Sequence, residues 1–214
     1  MVRNFRKRIS CLITLSKLVY LISPDKIHKN FYKKLEKVLS SKIVSFFQLR
    51  LKKLDKKKII IISKKIKKIT KKYNVKLIIN DYIDVVKIVN ADGCHLGQKD
   101  ASVLVAKRYL KKKIIGITCH NSKRLAKIAI KNGADYIAFG SFNKSKLKPN
   151  AKRSNLNILR WAKKNIKKPI VAIGGIDDSN YKKLRKIGAK YIAISSFIWD
   201  NPKLKPEKAI RKFK

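Results

Sequence analysis

The sequence predicts an α/β fold, a single (β/α)8 TIM barrel with a short basic N-terminal extension. Beyond residue 18, short β-branched apolar runs alternate eight times with longer helical patterns, as in βα units around a parallel sheet. Two segments repeat one helix-to-strand sequence, KNGADYIAFG from Lys131 and KIGAKYIAIS from Lys186. A length of 214 residues suits one barrel near the small end of the range for this fold. An open, doubly wound sheet is the main alternative.

The chain is predicted to form an extension over residues 1–17 and one barrel domain over residues 18–214. Four basic residues within the first eight positions precede a short apolar stretch, an order that superficially resembles a secretory signal. The stretch is too short for such a signal, has no small-residue cleavage site and continues directly into the first predicted strand. We therefore expect the extension to cap the barrel.

Eight strands are predicted where apolar and β-branched residues cluster, because strands of a parallel barrel are buried on both faces. They span residues 19–23, 43–51, 76–80, 93–96, 114–118, 136–140, 169–174 and 191–195. Helices with lysine-rich outer faces are predicted over residues 29–41, 55–73, 81–90, 101–111, 121–133, 155–167, 178–188 and 204–213. Gly133 and Gly188 follow periodic runs, where a left-handed residue often ends the last helical turn.

The formal net charge of +44 first indicates a nucleic-acid-binding protein, because clustered lysine and arginine neutralise phosphates. However, 46 of the 56 basic residues are lysine, and these lysines are spread over every predicted helix. Base-reading proteins depend more on arginine forks and stacked aromatic rings. We therefore expect no specific nucleic-acid partner, although the charge will attract anionic substrates. A nucleic-acid-binding protein on a barrel scaffold is kept as an alternative.

The cysteine pattern indicates a reducing compartment. Cys11, Cys94 and Cys119 form no C-x-x-C pair and are odd in number, so neither a disulfide framework nor a zinc site is predicted. The longest apolar runs fall far below the roughly 20 residues that a membrane-spanning helix needs. The expected location is therefore cytoplasmic, without membrane attachment.

Polar residues follow several predicted strands, and the C-terminal ends of the strands surround the active site in a (β/α)8 barrel. Strand two ends in Gln48, Arg50 and Lys52, which strand alternation directs to the same side. Because the residues before them are largely apolar, we expect the two cations to lie at the mouth of the barrel. The alternative is two more surface cations on a chain that is rich in them.

Two of the 12 carboxylates in the chain, Asp81 and Asp100, fall just past the neighbouring strands three and four. Paired carboxylates suit Mg²⁺, a hard cation that proteins hold through carboxylates, water and substrate phosphate oxygens. The alternative is that each aspartate only caps the helix that follows it.

The last two strands end in small and hydroxyl residues. Gly174 and Gly175 after strand seven would let the backbone approach a phosphate closely. Ser195 and Ser196 after strand eight add hydroxyl and amide donors in the same region. Together they predict a phosphate site, with a plain tight turn as the alternative.

Taken in order, these segments and their neighbours resemble the thiamine phosphate synthase family. The resemblance covers residues 18–198 and is carried by QLRLK, IND, DGCHLGQKD, GITCHNS, GADYIAFG and AIGGI. Members of this family are (β/α)8 barrels that join hydroxymethylpyrimidine diphosphate to thiazole phosphate and release pyrophosphate. The resemblance therefore implies a transferase of thiamine biosynthesis whose partners are these two small-molecule substrates.

The resemblance implies a role for each matching residue of the pyrimidine diphosphate site. Gln48 matches the glutamine that contacts the pyrimidine, and Asn80 matches a further polar contact to that substrate. Arg50 and Lys52 match two cations that bind the diphosphate. Thr118 takes the place of a serine or threonine hydroxyl near the diphosphate.

The resemblance also implies a cofactor and a lysine in the loop after strand six. Asp81 and Asp100 match the magnesium ligands of the family, so Mg²⁺ is the implied cofactor. Lys148 matches the lysine that closes a T-x-T-K motif, and Ser145 keeps one of its hydroxyls. Leu147 stands where the second threonine is expected, which removes one hydroxyl from the motif.

Gly175 and Ser196 match the thiazole phosphate site, with Ser195 in the place of Ser196 if the register shifts by one residue. A thiazole tautomerase-like protein on the same barrel is the nearest alternative, and His120 would be its acid or base. Such a protein needs no grip on a diphosphate, so the matched cations and carboxylates favour the synthase. His95 is expected to be a packing or hydrogen-bonding histidine.

Overall fold

The computed structural model describes residues 17–143 and 153–214, so the predicted extension lies outside the described residues except for Lys17. The strands are β1 (Val19–Ile22), β2 (Val44–Leu49), β3 (Lys76–Asn80), β4 (Gly93–Leu96), β5 (Ile114–His120), β6 (Tyr136–Phe139), β7 (Ile170–Ile173) and β8 (Tyr191–Ile194). Neighbours pair in parallel in chain order, and β8 returns to pair with β1. This closure confirms the predicted (β/α)8 barrel and excludes the open sheet.

Seven helices connect successive strands in the described part of the chain, and two short helices follow β8. They are α1 (Phe31–Leu39), α2 (Lys56–Lys72), α3 (Ile83–Ile88), α4 (Val103–Leu110), α5 (Lys123–Lys131), α6 (Asn157–Asn165), α7 (Tyr181–Ile187), α8 (Ser196–Trp199) and α9 (Pro206–Ala209). The sequence does not predict the short α8, and its last predicted helix ends as a 3₁₀ turn over Ile210–Lys212. In the part of the chain that the structure describes, no helix is both long enough and apolar enough to cross a membrane.

Alternate residues of each strand point to opposite faces, and this alternation separates two apolar clusters. The larger cluster packs the helices against outward-facing strand residues such as Leu21, Phe47 and Ile79. The smaller cluster fills the barrel interior and contains Tyr20, Ile22, Tyr136, Ala138, Val171 and Ala193. Inward residues nearer the C-terminal ends of the strands are polar, so the barrel is apolar inside and polar at its mouth.

One arrangement is repeated at the N-terminal end of the barrel. Asp92, just before β4, accepts a hydrogen bond from Leu77 N of β3 at 2.9 Å and pairs with Lys67 of α2 at 2.6 Å. Asp135, just before β6, makes the corresponding bonds to the β5 backbone at 2.7 Å and to an α4 lysine at 2.6 Å. In the second copy of the sequence repeat, Lys190 replaces the aspartate and lacks the carboxylate bonds, but its backbone N–H donates to Ile170 O of β7 at 2.8 Å, as Asp135 N does to Ile115 O of β5. These aspartates therefore join neighbouring strands and helices away from the mouth.

We predict that Asp92→Asn lowers the free energy of unfolding at neutral pH by about 1–3 kcal/mol, because hydrogen bonds to a charged group are weakened. Burial acts to raise the pKa of Asp92, but the bonds from Lys67 and Leu77 outweigh it and hold the pKa below its usual value. A carboxyl with a lowered folded-state pKa stabilises the fold above its unfolded-state pKa, and this contribution is lost as pH falls through the folded-state pKa.

Urea unfolding at several pH values measures this contribution. The stability difference between the wild type and Asp92→Asn should shrink as pH falls below about 4, the ordinary aspartate range. The matched control is Asp178→Asn, at an exposed loop position, which should change stability little throughout. A difference for Asp92→Asn that does not vary with pH would contradict the assigned electrostatic role.

Candidate active site

Polar side chains from β2 and β3 meet inside the mouth of the barrel. Gln48 and Asn80 are both buried, and Gln48 Nε2 donates a hydrogen bond to Asn80 Oδ1 at 2.6 Å. Gln48 follows Phe46 by two positions, and Phe46 packs in the interior cluster, so alternation also turns Gln48 inward. The structure thus brings together the two residues that the resemblance assigns to the pyrimidine substrate.

Arg50 lies directly after β2 and is held by the loop that follows β1. Its side chain is only 12% exposed, and its Nη1 atom lies 3.0 Å from Asp25 Oδ1. The backbone N–H of Arg50 donates to Ser23 Oγ at 3.0 Å. These contacts hold the guanidinium at the mouth, so it is not one more solvated surface cation.

Lys52 reaches the mouth differently from the prediction. The predicted strand over residues 43–51 is too long, because β2 ends at Leu49 and Lys52 lies in the following turn. A hydrogen bond from Leu54 N to Leu51 O closes this turn at 3.2 Å and ends the strand alternation. The side chain of Lys52 is half exposed, and its Nζ atom lies 3.1 Å from Asp81 Oδ2.

Asp81 and Asp100 lie close together beyond the ends of β3 and β4. Asp81 has a left-handed backbone (φ 66°), which aspartate tolerates better than most residues, and its N–H donates to His95 O at 2.9 Å. Asp100 folds back over its own loop, where its Oδ2 atom accepts a hydrogen bond from Gly97 N at 2.7 Å. The two carboxyl groups are within hydrogen-bonding reach of each other. The structure therefore brings the predicted pair together.

Neither aspartate caps the helix that follows it. The residue before α3 is Tyr82, which makes no side-chain capping bond. The residue before α4 is Ser102, whose hydroxyl accepts a hydrogen bond from Val105 N at 3.2 Å. The capping alternative is therefore excluded for both aspartates.

The negative charges of the carboxylate pair are disfavoured by burial and by each other, and a bound cation would offset this cost. Burial raises the pKa of Asp81, and the neighbouring Asp100 raises it further, while Lys52 only partly opposes them. Two neighbouring carboxylates are stabilised either by a proton on one of them or by a bound cation. Within the described residues, no group of three or more His, Cys, Asp or Glu side chains is arranged to hold a metal, so this pair would need water or substrate to complete a magnesium site.

A continuous hydrogen-bonded chain runs through the barrel interior toward the mouth. The hydroxyls of Tyr20 and Tyr136 lie 2.7 Å apart. The Tyr136 hydroxyl lies 2.9 Å from His95 Nδ1, and His95 Nε2 lies 2.8 Å from Thr118 Oγ1. We call Tyr20, Tyr136, His95 and Thr118 the inner relay. Its last member is the hydroxyl that the resemblance assigns to the diphosphate.

The glycine pair after β7 lies beside the loop that follows β6. A Cβ built on Gly174 (φ 101°) would lie 2.0 Å from Ser141 Oγ, so only glycine fits here without a shift. Gly175 is also left-handed (φ 58°), and its carbonyl accepts a hydrogen bond from Asn180 Nδ2 at 3.0 Å. The backbone is thus fixed in a conformation that most other residues would strain.

The two serines after β8 have different surroundings. Ser195 is buried and donates its hydroxyl to Ser23 O at 3.0 Å, which ties the end of β8 to the loop after β1. Ser196 is the first residue of α8 and is partly exposed. The Ser195 hydroxyl is therefore already used in closing the barrel, which favours Ser196 as the phosphate contact.

Three predicted positions remain to be placed. Ser145 and Lys148 lie outside the described residues. His120 is the last residue of β5, is exposed and has a left-handed backbone (φ 50°). Its carbonyl accepts a hydrogen bond from Gly140 N at 3.2 Å, which joins the ends of β5 and β6.

Sequence reasoning missed several contributors to the site. Asp25 follows a strand end, which was an available signal, but its partner Arg50 could not be read from the chain. Tyr20 and Tyr136 are ordinary strand aromatics in sequence, and no local signal marks their hydroxyls. Gln98 also contributes, because its Nε2 atom donates to Thr118 O at 2.6 Å.

Comparisons with known proteins agree on one family. A family model described as thiamine monophosphate synthase matches residues 19–198. The thiamine-phosphate synthase of Pelagibacter ubique (strain HTCC1062) is 57% identical over 92% of this chain and 96% of its own length. That of Erythrobacter litoralis (strain HTCC2594) is 37% identical over 85% and 87%. Among solved structures, a thiamine phosphate pyrophosphorylase from Pyrococcus furiosus has a TM-score of 0.82 at 30% identity, covering 92% of this chain and 94% of that one.

We predict that Asp81 titrates above the ordinary aspartate range and that its neighbours move it in opposite directions. Asp100→Asn should lower the pKa of Asp81 because it removes a like charge, and Lys52→Met should raise it because it removes an opposite one. Carboxyl-carbon NMR titration measures both changes. Asp178→Asn, in an exposed loop, serves as the control and should leave the titration in place. An unchanged Asp81 titration in Asp100→Asn would show that the two carboxyls do not interact.

Proposed function

The chain belongs to the thiamine monophosphate synthase family, and from this membership we propose that it joins hydroxymethylpyrimidine diphosphate to thiazole phosphate, releasing pyrophosphate and forming thiamine phosphate. It is accordingly a transferase of thiamine biosynthesis. The observation that carries the detailed proposal is that the barrel mouth holds a pair of carboxylates, one of them bonded to Lys52, together with the largely buried guanidinium of Arg50. This combination suits a substrate that brings a diphosphate.

We propose that the departing diphosphate binds to the cations and hydrogen-bond donors at the C-terminal ends of β2 and β5. The carbon–oxygen bond between the pyrimidine methylene and the diphosphate breaks, and its electron pair leaves with pyrophosphate. Arg50 and Lys52 counter the negative charge that develops, and Thr118 adds a hydroxyl near the same group. On binding substrate, Arg50 would exchange Asp25 for a diphosphate oxygen, while Gln48 and Asn80 would hold the pyrimidine ring.

Asp81 and Asp100 fit a Mg²⁺ ion, because they are two neighbouring oxygen donors, and burial together with the neighbouring Asp100 raises the pKa of Asp81. When bound there, Mg²⁺ supplies positive charge that stabilises the departing diphosphate. The bond from Gly97 N to Asp100 fixes one carboxylate in place before any ion arrives. We therefore propose Mg²⁺ as the cofactor.

The second substrate would lie toward β7 and β8. We propose that Gly175 and Ser196 contact the phosphate of the thiazole, with Ser195 supporting them through its bond to the β1 loop. With its phosphate anchored, the thiazole nitrogen is held near the pyrimidine methylene and donates its electron pair to form the new carbon–nitrogen bond. Orientation therefore does the work that a general base would do in other reactions, and no nucleophilic side chain is needed.

The tautomerase-like alternative uses fewer of these residues. A protein that only moves protons on the thiazole has no use for a carboxylate pair bonded to Lys52, or for the Arg50 guanidinium held at the mouth. His120 would be its acid or base, and it lies exposed as the last residue of β5. The coordinated set of cations and carboxylates favours the synthase.

We further propose that the enzyme works in the cytoplasm and acts on small molecules alone. Cys94 and Cys119 are buried free thiols, which suits a reducing compartment. Burial raises the pKa of Cys119 to about 12, so this thiol stays protonated and unreactive.

Asp81→Asn and Asp100→Asn are each expected to reduce thiamine phosphate formation on the order of 100-fold, because each removes negative charge from the proposed magnesium site. Asparagine also tolerates the left-handed backbone at position 81, so the barrel should remain folded. Product formation measured against Mg²⁺ concentration should show partial rescue of both variants by excess metal. A wild-type rate that survives complete chelation would remove the metal from the proposal.

Lys148 is distinguished from its neighbours only by the resemblance, since Lys144 and Lys146 lie close to it in sequence. Losing a contact to the departing diphosphate should lower turnover on the order of 100-fold in Lys148→Ala. Lys144→Ala and Lys146→Ala should change turnover little, because the resemblance assigns neither of them a contact to the diphosphate. Turnover with both substrates saturating checks this difference, and equal effects at the three positions would end the assignment of Lys148.

A further inference from the structure

The inner relay begins at a hydroxyl that is shut off from solvent. Tyr20 is buried in the barrel interior, and the partner of its hydroxyl among the described residues is the hydroxyl of Tyr136. One of these two groups must donate to the other. If Tyr136 donated, the Tyr20 proton would be left buried without an acceptor in the described part of the chain, which is costly. Tyr20 is therefore the donor and Tyr136 the acceptor.

The remaining protons follow from this first step. Because the Tyr136 oxygen accepts from Tyr20, its own proton is directed to His95 Nδ1, which must then be unprotonated. A neutral His95 carries its proton on Nε2 and donates it to Thr118 Oγ1 at 2.8 Å. The Thr118 oxygen therefore accepts a hydrogen bond from His95, and the Thr118 hydroxyl proton is directed away from His95.

Two features keep the relay in this arrangement. Burial raises the pKa of Tyr20 and of Tyr136, so both phenols remain protonated donors. The Tyr136 ring lies where a side chain at Gly116 would be, since a Cβ there would be 1.8 Å from ring atom Cζ. The same ring is nearly parallel to that of His95, with an interplanar angle of 18°. The hydroxyl and the imidazole are therefore held in register by packing.

We propose that the inner relay is directional and that it fixes the Thr118 hydroxyl as a hydrogen-bond donor to the departing diphosphate. Tyr20, Tyr136 and His95 are then positioning residues that act through Thr118 without touching the leaving group. A donor oriented before the reaction costs no reorganisation as negative charge develops on the diphosphate oxygens. This inference rests on the proposed function for the substrate that Thr118 meets, but the direction of the relay is a property of the protein alone.

The first experiment reads the direction of the relay in the protein without substrate. The chain has three histidines, so ¹⁵N-histidine labelling gives three pairs of ring nitrogens, which His28→Gln and His120→Gln spectra assign. We expect His95 to be the neutral tautomer with the proton on Nε2 and none on Nδ1. A proton on Nδ1, either alone or on both nitrogens, would overturn the proposal. This measurement on the wild type does not depend on any variant folding.

The second experiment tests whether the relay acts through Thr118. Tyr136→Phe keeps the ring but removes the hydroxyl, and should lower kcat about tenfold without changing KM for thiazole phosphate, as expected for loss of an orienting partner. Thr118→Val should lower kcat more strongly, and adding Tyr136→Phe to it should cause no further loss. In the Thr118→Ser background, which keeps the hydroxyl, Tyr136→Phe should again cost about tenfold, the same loss as in the wild type. Independent, multiplicative effects of Tyr136→Phe and Thr118→Val would overturn the relay.

Tyr191→Phe provides the matched control. Tyr191 packs against the same interior cluster, but its hydroxyl lies outside the relay, so its kcat and the His95 tautomer should match the wild type. A comparable loss of kcat in Tyr191→Phe would show that the Tyr136 effect is one of packing, and would overturn the positioning role. Failure of the wild type to form thiamine phosphate would overturn the proposed function, whereas normal product formation with a protonated Nδ1 would overturn the relay alone.

Discussion

The interior of an eight-stranded barrel has room for side chains and little else, so each polar group that a strand directs inward must find its partner on another strand. This constraint explains the pairs described above. Gln48 of β2 bonds to Asn80 of β3, and the hydroxyl of Tyr20 on β1 meets that of Tyr136 on β6. Ser195, just after β8, donates to the backbone just after β1. The polar side chains directed inward and toward the mouth therefore also help to hold the barrel closed.

The scarce carboxylates carry more information about function than the abundant lysines. In a chain with a net charge of +44, an aspartate can pair with a lysine almost anywhere, as Asp84 does with Lys56 at 2.7 Å. Asp81 and Asp100 instead lie against each other, although only one lysine, Lys52, is paired with Asp81 among the described residues. Two neighbouring negative charges repel each other and do not stabilise the fold, so their placement indicates another role. Binding a shared cation would be such a role.

Local patterns in the sequence predicted the strands and helices better than they predicted the contacts between side chains. β3 and β4 begin and end where predicted, because turn residues bound each short segment. Strand alternation predicts that Lys52 continues the face of Gln48 and Arg50, whereas the structure has a turn at Lys52. Alternation shows which face a residue occupies but not which residue it meets across the barrel. The bond between Tyr20 and Tyr136, 116 positions apart, depends on closure and could not be read from either segment.

Aspartates at the two ends of the barrel show how one residue type serves stability and function. Asp92, at the N-terminal end, has hydrogen bonds from Lys67 and a backbone N–H that outweigh the cost of burial, so its pKa lies below the usual value. Asp81, at the C-terminal end, also pairs with a lysine, yet burial and Asp100 together raise its pKa. The surroundings of Asp92 therefore favour its charged form, and those of Asp81 disfavour it. Because (β/α)8 barrels place their chemistry at the C-terminal end, Asp81 lies where a bound ligand can offset this cost.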